Sequence, residues 1–251
     1  MGSTVCQAVV DDPDLELVAA ADPHHAGFEL SEVAKVAVEG VQVGPGVSSF
    51  ANLDLDVVID FTQIDAAREN LSWLADHGVH AVVGTTGFTE TDYERFRSSF
   101  TRSNCVIAPN FAIGAVLMMR FAEIAAPYFD TAEVVEYHHD EKVDAPSGTA
   151  MLTVERMAAA SDEWNADPTT NEVIDRARGG KGAGGIPVHS VRLRGLVAHQ
   201  EVLLGTTGQS LTIRHDSYDR SSFMPGVLMA VKAIPDHPGL TVGLDALLGL
   251  V

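Results

Sequence analysis

The feature that most constrains this chain is an alternation in its first hundred or so residues between short, nearly continuous apolar runs and segments of helical periodicity. Leu15 to Ala21, ending at Asp22, Asp56 to Phe61, Val79 to Val83 and Cys105 to Ala108 read as strands. Ile64 to His77 and Thr89 to Arg102 repeat apolar residues at helical spacing. A strand with one wet face alternates polar and apolar residues; a run without that alternation belongs to a parallel sheet covered on both faces. Strands and helices in strict alternation then predict a doubly wound α/β domain.

The second half changes character. A helix is expected from about Ile113 to Tyr128, a strand over Glu133 to Tyr137 and a helix over Ser147 to Ala160. Three strand-like runs follow, His189 to Leu193, His199 to Leu204 and Ser210 to His215, joined by the turn-like Arg194-Gly195 and Gly205-Thr-Thr-Gly208. Connections this short predict antiparallel pairing in a meander, and so a second, α+β domain with a mixed or antiparallel sheet. Ser221 to Ala233 and Asp245 to Leu250 read as helices returning to the first domain. The glycine-rich stretch Arg178 to Gly185 is not a phosphate-binding P-loop, because Gly180-Lys181 is followed by Gly182 rather than Ser or Thr. It reads as a mobile loop able to close over a ligand.

A net charge of −19, with no Lys/Arg cluster, offers no footprint for a nucleic-acid backbone or an anionic membrane surface. No apolar run approaches the ~20 residues of a bilayer span, and the first residues lack the basic and apolar regions of a secretory signal. Cys6 and Cys105 match no CxxC spacing and read as core thiols in a reducing cytoplasm. Only four residues are Lys (Lys35, Lys142, Lys181 and Lys232), so a Lys inside a dense polar stretch stands out.

Lys142 lies in such a stretch, Glu136-Tyr-His-His-Asp-Glu-Lys-Val-Asp-Ala-Pro-Ser-Gly-Thr-Ala150. A metal site is disfavoured by the lysine and by the absence of HExxH or Cys/His spacing, and a serine hydrolase by the absence of a G-x-S-x-G elbow around Ser147. An anion site with a proton donor fits better. Ser147, Gly148 and Thr149 stand where a helix begins, so their N–H groups and the helix dipole favour a carboxylate or phosphate. Lys142 adds a full positive charge, and His138 or His139 can exchange a proton near neutral pH. An ordinary helix cap with exposed histidines is the plain alternative.

The dinucleotide signal is weaker. Asp22, at the end of its strand, is where an acidic residue can bond an adenosine ribose. Gly84-Thr-Thr-Gly87 and Ala108-Pro-Asn-Phe111 follow the C-terminal ends of parallel strands, where open sheets bind ligands, but each can also be read as a turn. No G-x-G-x-x-G is present.

Together these motifs resemble the 4-hydroxy-tetrahydrodipicolinate (dihydrodipicolinate) reductase family over essentially the whole chain. The most specific element is His138 to Ala150, supported by Val83-Gly-Thr-Thr-Gly-Phe88 and Ala108-Pro-Asn-Phe-Ala-Ile-Gly114. The resemblance implies a Rossmann-like dinucleotide domain over residues 1–108 and 220–251, and a substrate-binding domain over 109–219 that builds a homotetramer. It implies reduction of a cyclic dicarboxylate imine by NADH or NADPH in the diaminopimelate route to lysine. His138 would be the proton donor and Lys142 a second donor, with His139, Gly148 and Thr149 on the substrate. Gly84, Thr85, Thr86, Ala108, Pro109, Asn110 and Phe111 would contact the cofactor near its nicotinamide, and Asp22 the adenosine ribose. Hydride addition to the ring leaves an enamine, which His138 would protonate.

The family begins with a strand and a glycine-rich turn, whereas this chain starts inside that turn, with Gly2 at its last glycine. A start codon assigned too far downstream is the expected reason. A sheet lacking that central strand should show two open edges. Two other readings are a related two-domain amino-acid dehydrogenase, such as one acting on aspartate, and a non-catalytic remnant that no longer holds nicotinamide. Asp22 disfavours a 2′-phosphate by charge repulsion and leans towards NADH.

Overall fold

The computed structural model describes residues 1–250. The chain divides into two compact units, Met1–Phe111 with Phe223–Val251, and Ala112–Ser222.

The first unit opens with helix α1 (Gly2–Asp11), whose buried Val5 and Val9 lie four residues apart on one face. Strand β1 (Ala20–Ala21) pairs in parallel with β2 (Val43–Gly44) on either side of the short helix α2 (Leu30–Ala34). A separate four-stranded sheet contains β3 (Val57–Asp60), β4 (His80–Val83), β5 (Cys105–Ile107) and β11 (Leu240–Val242), the last strand among the described residues. Its order is β11-β5-β4-β3, with every pair parallel. Ala81 to Val83 and Cys105 to Ile107 are buried throughout, which is why those runs carry no polar alternation.

Helix α3 (Ile64–His77) lays Ala67, Leu71, Leu74 and Ala75 on this sheet, beside Phe96 of helix α4 (Glu90–Ser99). Thr89 and Asp92 cap α4 reciprocally, so an isolated helix end is satisfied by its own sequence.

Three expectations are corrected here. Leu15 to Ala19 form no strand; only Ala20 and Ala21 find a ladder, because β1 has a partner on one side alone. β3 is likewise paired only with β4, so the sheet is split, with an open edge on each piece. The helix expected over Thr89 to Arg102 ends at Ser99. Asp245 to Leu250 make turns rather than a helix, closed by Leu250 N–H to the Asp245 carbonyl and stopped by Gly249 at φ +67°.

The second unit runs through helix α5 (Ile113–Ala125), β6 (Thr131–His138), helix α6 (Gly148–Ala160), β7 (Gly180–Lys181), β8 (Pro187–Arg192), β9 (Ala198–Thr206) and β10 (Gln209–Ser217). The sheet order is β10-β9-β6-β8-β7. It is mixed: β8 runs parallel to β6, while β9 lies antiparallel between β6 and β10. The expected meander is therefore only half present. β8 and β9 are consecutive in sequence but do not pair, because β6 occupies the place between them. The glycine-rich stretch, expected to be a mobile loop, puts Gly180 and Lys181 into the sheet edge opposite Val188 and Pro187.

Helices α5 and α6 pack on one another. They cover the face that carries Val134, Val202 and Leu204, where Gln200 Nε2 donates to Thr153 Oγ1 of α6 at 2.8 Å. In the first unit, helix α7 (Met224–Ala233) buries Val227, Ala230 and Val231. Among the described residues no helix is long and apolar enough to cross a membrane, and no group of three or more His, Cys, Asp or Glu is set to hold a metal ion.

Candidate active site

In the second unit the chemistry gathers at the end of β6. Side chains alternate along a strand, so Glu136 falls on the same buried face as Ala132 and Val134, and its side chain is wholly buried. An isolated carboxylate there would be prohibitively costly. Four donors compensate it. Arg192 of β8 grips it through both terminal nitrogens, each at 2.8 Å, His138 Nδ1 makes a short hydrogen bond to it, and the Ser147 N–H donates at 3.2 Å. Burial pushes the Glu136 carboxyl up, but the hydrogen bonds from His138 and Arg192 outweigh it and bring it down to about 2.

Ser147 is the N-cap of α6; its hydroxyl accepts from the Ala150 N–H at 3.2 Å, and Gly148 and Thr149 form the first turn beyond it. Arg192 also donates to the Asp144 carbonyl at 2.6 Å, and the Asp144 carboxylate receives Lys142 Nζ at 2.7 Å. The Lys142 hydrogen bond, with the nearby positive charge, holds Asp144 below the usual carboxylate range. A continuous series of contacts thus links His138, Glu136, Arg192, Asp144, Lys142 and the start of α6. His139 follows the strand and is exposed. Glu136 and Arg192 were not among the expected site residues. A charged residue at a core position of an apolar strand was the signal available for Glu136.

In the first unit the expected residues cluster at the C-terminal ends of parallel strands. An apolar pocket of about 190 Å³ is lined by Met1, Phe61, Gly84, Ala108, Pro109, Asn110, Phe111 and Phe223. At Gly84 a Cβ would lie 2.0 Å from the Phe61 ring, so this turn accepts only glycine without displacing the pocket wall. Thr85 is buried and donates to the Asp60 carboxylate at 3.0 Å, whereas Thr86 is exposed. Asp60, at the end of β3, also receives Thr62 N–H and Oγ1 and Asn70 Nδ2, at 2.8–2.9 Å. One buried carboxylate therefore fixes the turns after β3 and β4 together. Asp60 and Phe61 were missed in sequence because they read as the end of a strand.

Asp22 lies just beyond β1. Its carboxylate accepts from His25 Nδ1 and the His24 N–H, both at 2.9 Å, and these bonds hold it below the usual carboxylate range. It is thus a preformed, ionised acceptor on the separate two-stranded sheet, outside the set of residues that line the apolar pocket.

Asp60→Ala leaves the Thr62 N–H and Asn70 Nδ2 without their acceptor, while the Thr85 hydroxyl keeps the Thr62 carbonyl at 3.1 Å, at a cost of about 1–3 kcal/mol. The expected result is a Tm lowered by roughly 2–12 °C in calorimetric scans; an unchanged Tm would show that the two turns hold without their anchor.

Comparison with known proteins agrees with both halves. The family model described as dihydrodipicolinate reductase, N-terminus, matches residues 1–111, and that described as dihydrodipicolinate reductase, C-terminus, matches residues 114–248. The chain is 48% identical over 255 residues to a 4-hydroxy-tetrahydrodipicolinate reductase of Cutibacterium acnes, covering 100% of this chain and 95% of that protein. With the protein of that name from Mycolicibacterium vanbaalenii it shares 53% over 215 residues, 84% of this chain and 87% of the relative. Among solved structures, a dipicolinate-bound dihydrodipicolinate reductase from Paenisporosarcina sp. TG-14 superposes with TM-score 0.86 at 40% identity, over 98% of this chain and 94% of that one. An amine dehydrogenase from Mycobacterium smegmatis shares the fold at TM-score 0.63 but only 15% identity, over 96% of this chain and 91% of that one. An amino-acid dehydrogenase and a non-catalytic remnant are both disfavoured beside these likenesses. With the histidine–lysine stretch and the parallel-sheet turns both in place, the chain belongs to the dihydrodipicolinate reductase family of NAD(P)H-dependent oxidoreductases.

Proposed function

We propose that this chain reduces 4-hydroxy-tetrahydrodipicolinate to tetrahydrodipicolinate, within lysine and diaminopimelate biosynthesis. The observation that carries the reading is the linked group of His138, Lys142 and the α6 N-terminus, in a chain 40% identical to a dipicolinate-bound reductase.

In the first unit the apolar pocket and the glycine-only turn at Gly84 fit a flat nicotinamide ring. Gly84, Thr85 and Thr86 would hold it with Ala108, Pro109, Asn110 and Phe111, and Asp22 would take the adenosine ribose. Bound there, the cofactor supplies a hydride. In the second unit Lys142 and the N–H groups of Gly148 and Thr149 hold a substrate carboxylate, and His139 borders it. Their positive field favours the electron-rich form of the substrate as charge develops on it. His138 gives the proton that completes the reduced ring.

The reading includes a homotetramer and a cytoplasmic compartment. The half-buried sheet face that carries Val135 and Tyr137, with exposed Leu203, supports association, and the free thiols of Cys6 and Cys105 suit a reducing compartment.

The test is loss of reduced-nicotinamide absorbance with cyclic substrate made freshly by the preceding synthase, NADH and NADPH run in parallel. Turnover that requires substrate, and is faster with NADH because Asp22 repels a 2′-phosphate, is the expected result. Thermal stabilisation by nicotinamide without turnover would remove the substrate assignment but keep the cofactor site.

A further inference from the structure

Glu136 is a buried anion in a strand whose neighbours on the same face are Ala132 and Val134. Packing alone would place an apolar residue there. Its carboxyl sits at about 2, so near neutral pH it is ionised and can only accept hydrogen bonds. The atom of His138 that faces it is Nδ1. Nδ1 therefore carries a proton in the neutral ring, and Nε2 is the atom left to exchange one with a ligand.

We propose that Glu136 is a positioning residue for the reduction, acting through His138. The proposal rests on His138 being the proton donor. The carboxylate holds the imidazole in one tautomer and one orientation. When the Nε2 proton passes to the substrate carbon, the Nε2–H bond breaks, the new C–H bond forms, and the neutral ring remains hydrogen-bonded to Glu136 through Nδ1–H. Arg192 keeps Glu136 anionic throughout, so the proton is not lost to the carboxylate. Because Glu136 Oε1 also accepts the Ser147 N–H, the same carboxylate sets the start of α6 relative to the imidazole.

The charged groups around His138 come from three elements. Glu136 lies on its own strand, Arg192 stands opposite on β8, and Lys142 with Asp144 lie in the following loop; β9 presents Ala198 opposite it.

The experiment uses the full chain labelled with ¹⁵N-histidine, in wild type, Glu136→Gln, and Glu136→Gln with Arg192→Met, the last avoiding an unpaired guanidinium if the single variant fails to fold. The neutral His138 ring of the wild type should be in the Nδ1–H tautomer. In the variants the Nε2–H tautomer should grow, and kcat should fall at least ~10-fold with KM for NADH unchanged. A wild-type Nε2–H tautomer, or an unchanged tautomer balance in both variants, overturns the proposal. Full turnover in the Glu136 variants with His138→Ala inactive overturns the proposal alone. Full turnover in His138→Ala removes the proton-donor reading and this proposal with it.

Discussion

His138→Ala should lower turnover at least ~100-fold, the scale of one acid–base group, with NADH affinity within about two-fold of wild type. The separation follows from the distribution of residues: the imidazole ends β6 of the second unit, while the residues assigned to nicotinamide end the strands of the first. Lys142→Ala should lose as much turnover but also raise KM for the substrate. In the structure Lys142 neutralises Asp144, so its removal leaves a bare carboxylate beside an anionic ligand as well as deleting a cation. Steady-state kinetics with both variants checks this, and near-wild-type turnover in both would remove these roles.

Gly226→Ala should be the most destabilising small substitution tied to the cofactor half. A Cβ on Gly226 of α7 would lie 2.1 Å from the Phe111 carbonyl oxygen and 3.1 Å from Leu244. A side chain could swing aside, but a backbone carbonyl moves only with its turn. Overpacking of this kind costs about 3 kcal/mol, equivalent for a chain of this size to roughly 6–12 °C in Tm. Phe111 closes the Ala108–Phe111 turn that lines the apolar pocket, so NADH binding should weaken with it. Calorimetric scans with and without NADH measure both effects; a Tm within about 2 °C of wild type would show that the turn yields freely.

The elements most legible in sequence were those whose signal is local. Ile64–His77 is helical over the whole span its periodicity predicts, and the runs at Val79–Val83 and Cys105–Ala108 are apolar because both faces of their strands are covered. Pairing was less legible. Arg194-Gly195 resembles a hairpin turn, yet β6 lies between β8 and β9, a non-local choice that no short window encodes. Leu15 to Ala19 have strand composition but no partner, and composition cannot supply a ladder. At the site, His138 and Lys142 stood out because a scarce lysine follows four residues after the first of two adjacent histidines. Glu136, Arg192 and Asp60 did not, since their burial, and the pairing of β6 with β8 that brings Arg192 to Glu136, arise only in the fold.

The pairing of β5 with β11 also has a consequence for how the protein is made. β5 ends at Ile107, and its outer neighbour, Leu240–Val242, is synthesised only after the entire second unit. At ~5–20 residues per second, that edge waits roughly 7–27 s for its partner on the ribosome. The second unit, continuous in sequence, can complete its own sheet in the interval. The nucleotide half, although begun first, is therefore finished last, and its β5 edge is the surface that a nascent chain must keep from pairing elsewhere.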